Sequence, residues 1–163
     1  DISVKDTNGK YEVGLKSDDY EKIKEYKPVF AFDYILIDNT KYSFSGDRLG
    51  SADYRKLLQG LKGLSTYTYE TLDKNKQFHF HEVKWKNIDI SEADFYKCLT
   101  NNYDGSDYLD VYQLKVFDQA RVLGFLYKTV FYLVILDIGH EAYKRQDKGK
   151  GKGKKGIKGR RKQ

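Results

Sequence analysis

The stretch YQLKVFDQARVLGFLYKTVFYLVILD, residues 112–137, contains three apolar runs that two short polar breaks separate. The length and composition of these runs predict three consecutive strands, Tyr112–Val116, Ala120–Tyr127 and Val130–Asp137. The breaks at Asp118–Gln119 and Lys128–Thr129 are short enough for tight hairpin turns. The third run is apolar on both faces, so it is expected to be the central strand of its sheet. The sequence therefore predicts an antiparallel meander here.

Two helices are predicted upstream of this meander. From Ser51, apolar residues recur at spacings of three and four, which is typical of one buried helix face: Tyr54, Leu57, Leu58, Leu61 and Leu64. Ser91 and Asp94 have the spacing of a capping box, so a second helix is expected to begin there, with Phe95, Cys98 and Leu99 facing inward. Between the helices, STYTYETL, residues 65–72, is compatible with a helix or a strand.

Two β-hairpins are predicted before residue 50. One turns at Asn8–Gly9, and the other is VFAFDYILIDNTKYSFSG, residues 29–46, turning near Asp38 to Thr40. A short helix between them is expected to end at Pro28. The predicted fold class is therefore α+β, with helices packed on one face of a twisted, mainly antiparallel sheet.

The chain of 163 residues is expected to form one domain, residues 1–146, followed by a flexible tail, residues 147–163. The tail, DKGKGKGKKGIKGRRKQ, has seven Lys, two Arg and one Asp and so carries +8, which leaves 6 − 8 = −2 on residues 1–146. Such a segment attracts nucleic-acid phosphates without regard to sequence. Its candidate contacts include Lys154, Lys155, Arg160 and Arg161. A purely solubilising tail is the alternative.

The run FHFHEV, residues 78–83, alternates like a strand, which would place His79 and His81 on one face. Zinc requires three or four ligands, and the third histidine, His140, is distant in sequence. The His-x-His spacing matches no zinc signature, so no metal is expected. The pair is interpreted as a solvated strand face that borders a binding surface.

Several functional classes are excluded by missing motifs. The sequence contains no nucleophile elbow, no phosphate-binding loop and no dinucleotide-binding glycine motif, so no cofactor is expected. No run reaches the roughly 18 apolar residues of a membrane-spanning helix. A single cysteine, Cys98, excludes an internal disulfide and fits a reducing compartment, so a cytoplasmic location is expected.

Residues 108–146, YLDVYQLKVFDQARVLGFLYKTVFYLVILDIGHEAYKRQ, resemble the closing sheet of the RelE/ParE toxin superfamily. The similarity consists of a strand with a basic residue, a strand that opens with Ala-Arg-Val, an apolar strand, and then a His and a Tyr. Residues 57–72 and 78–83 resemble the helix and linker of RelE-like bacterial proteins. The resemblance covers about residues 52–146 and implies a RelE-like core at 51–146, with residues 1–50 as an extension.

This resemblance implies a toxin that cleaves RNA without a metal, binds mRNA in the ribosome or another target, and is covered by an antitoxin. Arg121 matches the strand arginine that would stabilise the phosphorane, His140 would serve as acid or base, and Tyr143 would orient or stack a base. Secondary phosphate contacts would come from Lys115, Lys128, Lys144 and Arg145, with His79 and His81 as secondary candidates. The structural alternatives are a strand-edge Arg121 paired with Asp118 or Asp137, and a loop His140 that caps the strand end. These side chains are expected at the open face of the sheet and at the strand end, outside the apolar core.

Two other functions remain open at the sequence level. Residues 1–146 are slightly acidic, whereas members of the superfamily often carry several basic residues on the active face. A non-catalytic nucleic-acid- or ribosome-binding protein that uses the basic tail is one alternative. A phage or defence-system protein-interaction module is the other.

Overall fold

The protein forms an α+β structure in which a five-stranded mixed sheet carries helices on both faces. A computed structural model describes residues 20–38, 40–99 and 109–142. Its helices are α1 (Tyr20–Ile23), α2 (Ser51–Leu64), α3 (Tyr69–Lys74) and α4 (Glu92–Cys98). Its strands are β1 (Val29–Ala31), β2 (His81–Glu82), β3 (Val111–Phe117), β4 (Ala120–Tyr127) and β5 (Val130–Asp137). Short 3-10 helices occupy Lys76–Phe78 and Trp85–Asn87.

The predicted meander is confirmed, with both turns at the expected residues. β3 pairs with β4, and β4 pairs with β5, both antiparallel. Asp118 and Lys128, the first residues of the two turns, adopt left-handed φ values of 42° and 53°. The sheet order is β1-β5-β4-β3-β2, so β4 rather than β5 is the central strand. The expectation about β5 is wrong because β1 pairs with its outer edge in parallel and adds only one strand there.

The apolar residues of the sheet divide into two clusters, one on each face. Along β4, Val122 packs with one cluster and its neighbour Leu123 with the other, as strand alternation requires. The first cluster contains residues from α2 and α3: Leu57, Leu61, Leu64, Tyr69 and Leu72. The second contains residues at and after α4: Phe95 and Leu99. The helices therefore cover both faces, and the expectation that they pack on one face is wrong.

Helix α2 begins and ends close to its predicted bounds, and its approach to β3 depends on a glycine. A Cβ atom at Gly60 would lie 2.0 Å from the carbonyl oxygen of Val116, so a side chain there would collide with strand backbone. The buried face of α2 is narrower than predicted, because the side chains of Tyr54 and Leu58 are 39% and 64% exposed.

The segment at residues 65–72, which was compatible with a helix or a strand, contributes the start of α3. Thr68 caps this helix by accepting a hydrogen bond from the Thr71 amide.

The predicted hairpin at residues 29–46 is wrong, since β1 is the only strand among the residues described in this range. The segment lies instead along the outer edge of β5. The Leu36 amide donates to the Val134 carbonyl, and the Leu136 amide donates to the Tyr42 carbonyl. The Phe44 amide donates to the Leu36 carbonyl, and the Ser45 hydroxyl donates to the Ile37 carbonyl, so a few bonds also join the two limbs directly. The predicted turn at Asn8–Gly9 lies outside the described residues.

The short helix before Pro28 is α1, which spans only Tyr20–Ile23. The part of the chain that the structure describes has no helix long and apolar enough to cross a membrane.

Candidate active site

Polar residues occupy one row across the end of the meander where β4 begins. Arg121 lies opposite Lys115 of β3 and opposite Asp137 of β5 in the strand register. His79 lies two residues before His81, which pairs with Gln113 of β3, and Lys115 is among the charges that act on His79. His140 comes three residues after Asp137. We call His79, Lys115, Arg121 and His140 the basic site, because four separate segments of the chain contribute to it.

Arg121 is the buried member of the basic site. It is 3% exposed, and its Nη1 donates hydrogen bonds to the carbonyl oxygens of Gln119 at 2.9 Å and Ala120 at 3.4 Å. These bonds hold the guanidinium against the β3–β4 turn. The expectation that Arg121 lies on an open face outside the core is therefore wrong, because the second face of the sheet is covered.

His140 is held by the turn that follows β5. The carboxylate of Asp137, which is 2% exposed, accepts hydrogen bonds from the amides of Glu141 and Ala142, each at 2.9 Å. This turn places His140 in a left-handed conformation with φ 53°. Burial lowers the pKa of His140, and the charge of Arg121 lowers it further, whereas Asp137 acts in the opposite direction.

His79 ends the 3-10 helix and is also left-handed, with φ 48°. Strand β2 contains only His81 and Glu82, so the prediction that both histidines lie on one strand is wrong. They are nevertheless exposed, while Phe80 between them is 4% exposed. Partial burial is the main cause that lowers the pKa of His79. The positive charges of Arg121, Lys115, His140 and His81 lower it further. A left-handed backbone is uncommon for residues other than glycine, and such conformations cluster at functional sites.

Metal binding has little geometric basis in the residues described. Within 20–38, 40–99 and 109–142, no group of three or more His, Cys, Asp or Glu side chains could hold a metal ion. Cys98 packs against the second cluster, and its thiol donates to the Asp94 carbonyl at 3.3 Å. Burial raises the pKa of this thiol, which makes it a poor nucleophile at neutral pH.

Lys128, which was predicted as a secondary phosphate contact, is not brought to the basic site. Lys128 lies in the turn at the opposite end of β4, roughly 20 Å from Arg121 at the rise of an extended strand. Its ammonium lies 5.5 Å from the centroid of the Tyr127 ring. The other predicted contacts lie outside the described residues: Tyr143, Lys144, Arg145, Lys154, Lys155, Arg160 and Arg161.

Glu141 is a residue that sequence reasoning did not single out, and Asp137 was considered only as an ion-pair partner of Arg121. Glu141 pairs with Lys41 at 3.0 Å and with Arg48 at 2.8 Å, which ties the segment after β1 to the turn that carries His140. Lys41 and Arg48 also line a cavity of about 330 Å³. These partners are about 100 residues apart in sequence, so no local pattern reveals them. The one signal available in the sequence was Asp137, a charged residue at the end of the otherwise apolar strand β5.

Comparison with protein-family models, with curated proteins and with solved structures finds no match to this chain. The function is therefore inferred from the geometry and chemistry of the basic site.

Proposed function

We propose that this protein is a RelE-like endoribonuclease that cleaves RNA without a metal ion. The observation that carries the proposal is the convergence of two histidines, a lysine and a buried arginine at one end of the meander. The 2′-oxygen of a ribose attacks the adjacent phosphorus, and the bond from phosphorus to the 5′-oxygen breaks. The products are a 2′,3′-cyclic phosphate and a 5′-hydroxyl. The reaction requires a base, an acid and positive charge near the phosphorane.

The two histidines differ in a way that suits these roles. Every charge that acts on His79 is positive, which favours its neutral form and hence the role of base toward the 2′-hydroxyl. His140 also lies near Asp137, whose negative charge favours the protonated imidazole. His140 is therefore the better acid for the departing 5′-oxygen.

Lys115 and Arg121 supply the positive charge in different ways. Lys115 is half-buried and can contact a phosphate oxygen directly. Arg121 is buried, so it acts on the phosphorane through its electric field, which a low-dielectric surrounding screens weakly. It also lowers the pKa of both imidazoles, which makes it a positioning residue in this proposal.

The RelE/ParE assignment extends the proposal to partners. The meander and α2, on which the resemblance rests, are present and support the proposal. In this proposal the target is mRNA, alone or in the ribosome, and a protein antitoxin covers the basic site. The covered second face is a departure from the expected open surface, so RNA approaches the site from the strand ends.

A second function is favoured by the charge of the tail. Residues 147–163 carry +8 against −2 for the rest of the chain, which suffices for nonspecific nucleic-acid binding without cleavage. In that case the protein binds RNA or the ribosome and the basic site contributes only affinity.

The proposal is tested with purified protein, single-stranded RNA or ribosome-bound mRNA, and a chelator in excess. We expect cleavage with 2′,3′-cyclic phosphate ends. His79→Gln and His140→Gln should each reduce the rate by about 10²- to 10⁴-fold without changing the thermal midpoint. His81→Gln, the third histidine of the chain, is the matched control and should cleave like the parent. Binding without cleavage on both substrates would overturn the nuclease and leave the second function.

A further inference from the structure

A cleft of about 250 Å³ opens beside the basic site. We call it the edge pocket, and it is lined by Leu64, Gln77, Phe78, Lys115, Val116 and Phe117. Lys115 belongs to both the edge pocket and the basic site, so the two adjoin where β3 forms the edge of the sheet. None of the roles assigned so far uses Gln77, Phe78 or Phe117.

The edge pocket exists because β2 is short. His81 and Glu82 pair with Gln113 and Tyr112, after which the preceding chain leaves the sheet through the 3-10 helix at Lys76–Phe78. The end of β3 at Lys115 to Phe117 is therefore flanked by this 3-10 helix instead of by a strand. Leu64, the last residue of α2, closes the pocket on the first face of the sheet.

The side chains of the edge pocket suit a planar heterocycle. Phe78 and Phe117 are half-buried, and the ring of Phe78 lies 5.0 Å from that of Tyr67, which restricts its motion. Gln77 is exposed, and its amide offers donors and an acceptor, the groups that read the edge of a base. The volume is below the roughly 300–1,000 Å³ of pockets for drug-sized ligands, so it suits a single ring system.

We infer that the edge pocket binds one unpaired nucleobase of a single-stranded RNA whose neighbouring phosphate lies at the basic site. This inference rests on the proposed function and names its substrate more closely. Phe78 and Phe117 contact the base, Gln77 selects among bases, and Lys115 contacts the phosphate that connects the two sites. A base in a duplex is stacked and paired, so the pocket selects single strands.

The test measures binding separately from cleavage. Short single-stranded RNAs with 2′-O-methyl groups cannot be cleaved by attack of the 2′-oxygen, and their binding is followed by fluorescence anisotropy. Four oligonucleotides that differ only in nucleobase are compared. We expect the parent protein to prefer one base by at least about fivefold, the discrimination of a modest base-edge contact.

Two pairs of variants identify the residues responsible. Gln77→Ala should abolish the preference, whereas Gln59→Ala, an exposed glutamine on α2, should retain it. Phe78→Leu keeps apolar packing but removes the aromatic face, and should weaken binding by about fivefold or more. Phe32→Ala changes an exposed phenylalanine beyond β1, at the opposite edge of the sheet, and should bind like the parent.

The inference is overturned if the parent protein binds all four oligonucleotides equally, or if Gln77→Ala and Phe78→Leu match the parent. These results are distinguishable from failure of the proposed function. Cleavage of ordinary RNA with no effect of Gln77 or Phe78 overturns the edge pocket alone. Base-selective binding that depends on Gln77, in a protein that cleaves no RNA, overturns the nuclease alone.

Discussion

Arg48 Nη2 lies 2.8 Å from Glu141 Oε1, and this ion pair joins the segment after β1 to the turn that carries His140. Lys41 binds the other carboxylate oxygen of Glu141 at 3.0 Å. Hydrogen bonds from Arg48 and Lys41 lower the pKa of Glu141 to about 2. The neighbouring Asp137 caps the amides of the same turn, so two carboxylates fix the backbone around His140.

The ion pairs of Glu141 with Arg48 and Lys41 predict that the protein loses stability in acid. The pKa of Glu141 is lower in the folded state than its ordinary value of about 4.3, so its stabilising contribution is present above that pH and is lost as the pH falls toward 2. Glu141→Gln should remove this part of the pH dependence. The thermal midpoint is measured from pH 5 to 2.5, with Glu82→Gln, an exposed glutamate, as control. High salt should weaken the effect in the parent, because the pair is exposed. An identical pH dependence in Glu141→Gln and the parent would mean that the ion pairs of Glu141 do not stabilise the folded protein.

Two glycines of α2 predict opposite effects of the same substitution. Gly60→Ala places a methyl group 2.0 Å from the Val116 carbonyl oxygen and should cost about 1–3 kcal/mol, because strand backbone cannot yield easily. At Gly63 an added Cβ meets nothing within 4 Å, so Gly63→Ala should stabilise the protein by about 0.5–1 kcal/mol through helix propensity. Urea denaturation measures both. Effects of equal sign would mean that α2 does not pack against β3 as described.

The local patterns of the sequence were sufficient for the meander and α2. Each depends on residues within a few positions, such as the spacing of Leu57, Leu61 and Leu64, and both elements appear where expected. The segment at residues 29–46 shows the same kind of apolar alternation, yet its backbone bonds go to Val134 and Leu136 of β5. Periodicity indicates an extended chain with two faces, and it does not identify the partner strand.

The candidate site was predictable only in part for the same reason. Arg121 and His140 were singled out from the sequence, but Arg121 is 3% exposed, and no local signal predicts that an arginine at the start of a strand is buried. His79 was placed on a strand because the alternation around Phe80 is genuine. The 3-10 helix that precedes it breaks the strand while preserving the exposure of both histidines. The link between Glu141 and Arg48 is a long-range contact that one sequence cannot show.

The basic tail predicts how RNA binding responds to salt. Its nine cations release counterions when they contact phosphates, so removal of residues 147–163 should make log affinity much less dependent on log salt concentration. A tail of equal length with serine in place of each Lys and Arg separates charge from length and should behave like the deletion. Affinity is measured on non-cleavable RNA between 50 and 300 mM salt, roughly the range in which such contacts are sensitive. A slope that the deletion leaves unchanged would assign nonspecific binding to residues 1–146.

The pH-rate profile of RNA cleavage tests the central claim most directly, which is that burial and the charge of Arg121 together hold His79 and His140 at the pKa values their roles require. Because both imidazoles have lowered pKa values, the rate should be bell-shaped with both limbs below the usual value of about 6.5. The low-pH limb reports the base His79, which must be neutral, and the high-pH limb reports the acid His140, which must be protonated.

Two variants of Arg121 complete the measurement. Arg121→Gln should move both limbs to higher pH, whereas Arg121→Lys should leave them near those of the parent. Thermal midpoints are measured to verify that both variants are folded. A rate that shows no limb below pH 6.5, or a folded Arg121→Gln variant whose profile matches the parent's, would contradict the account.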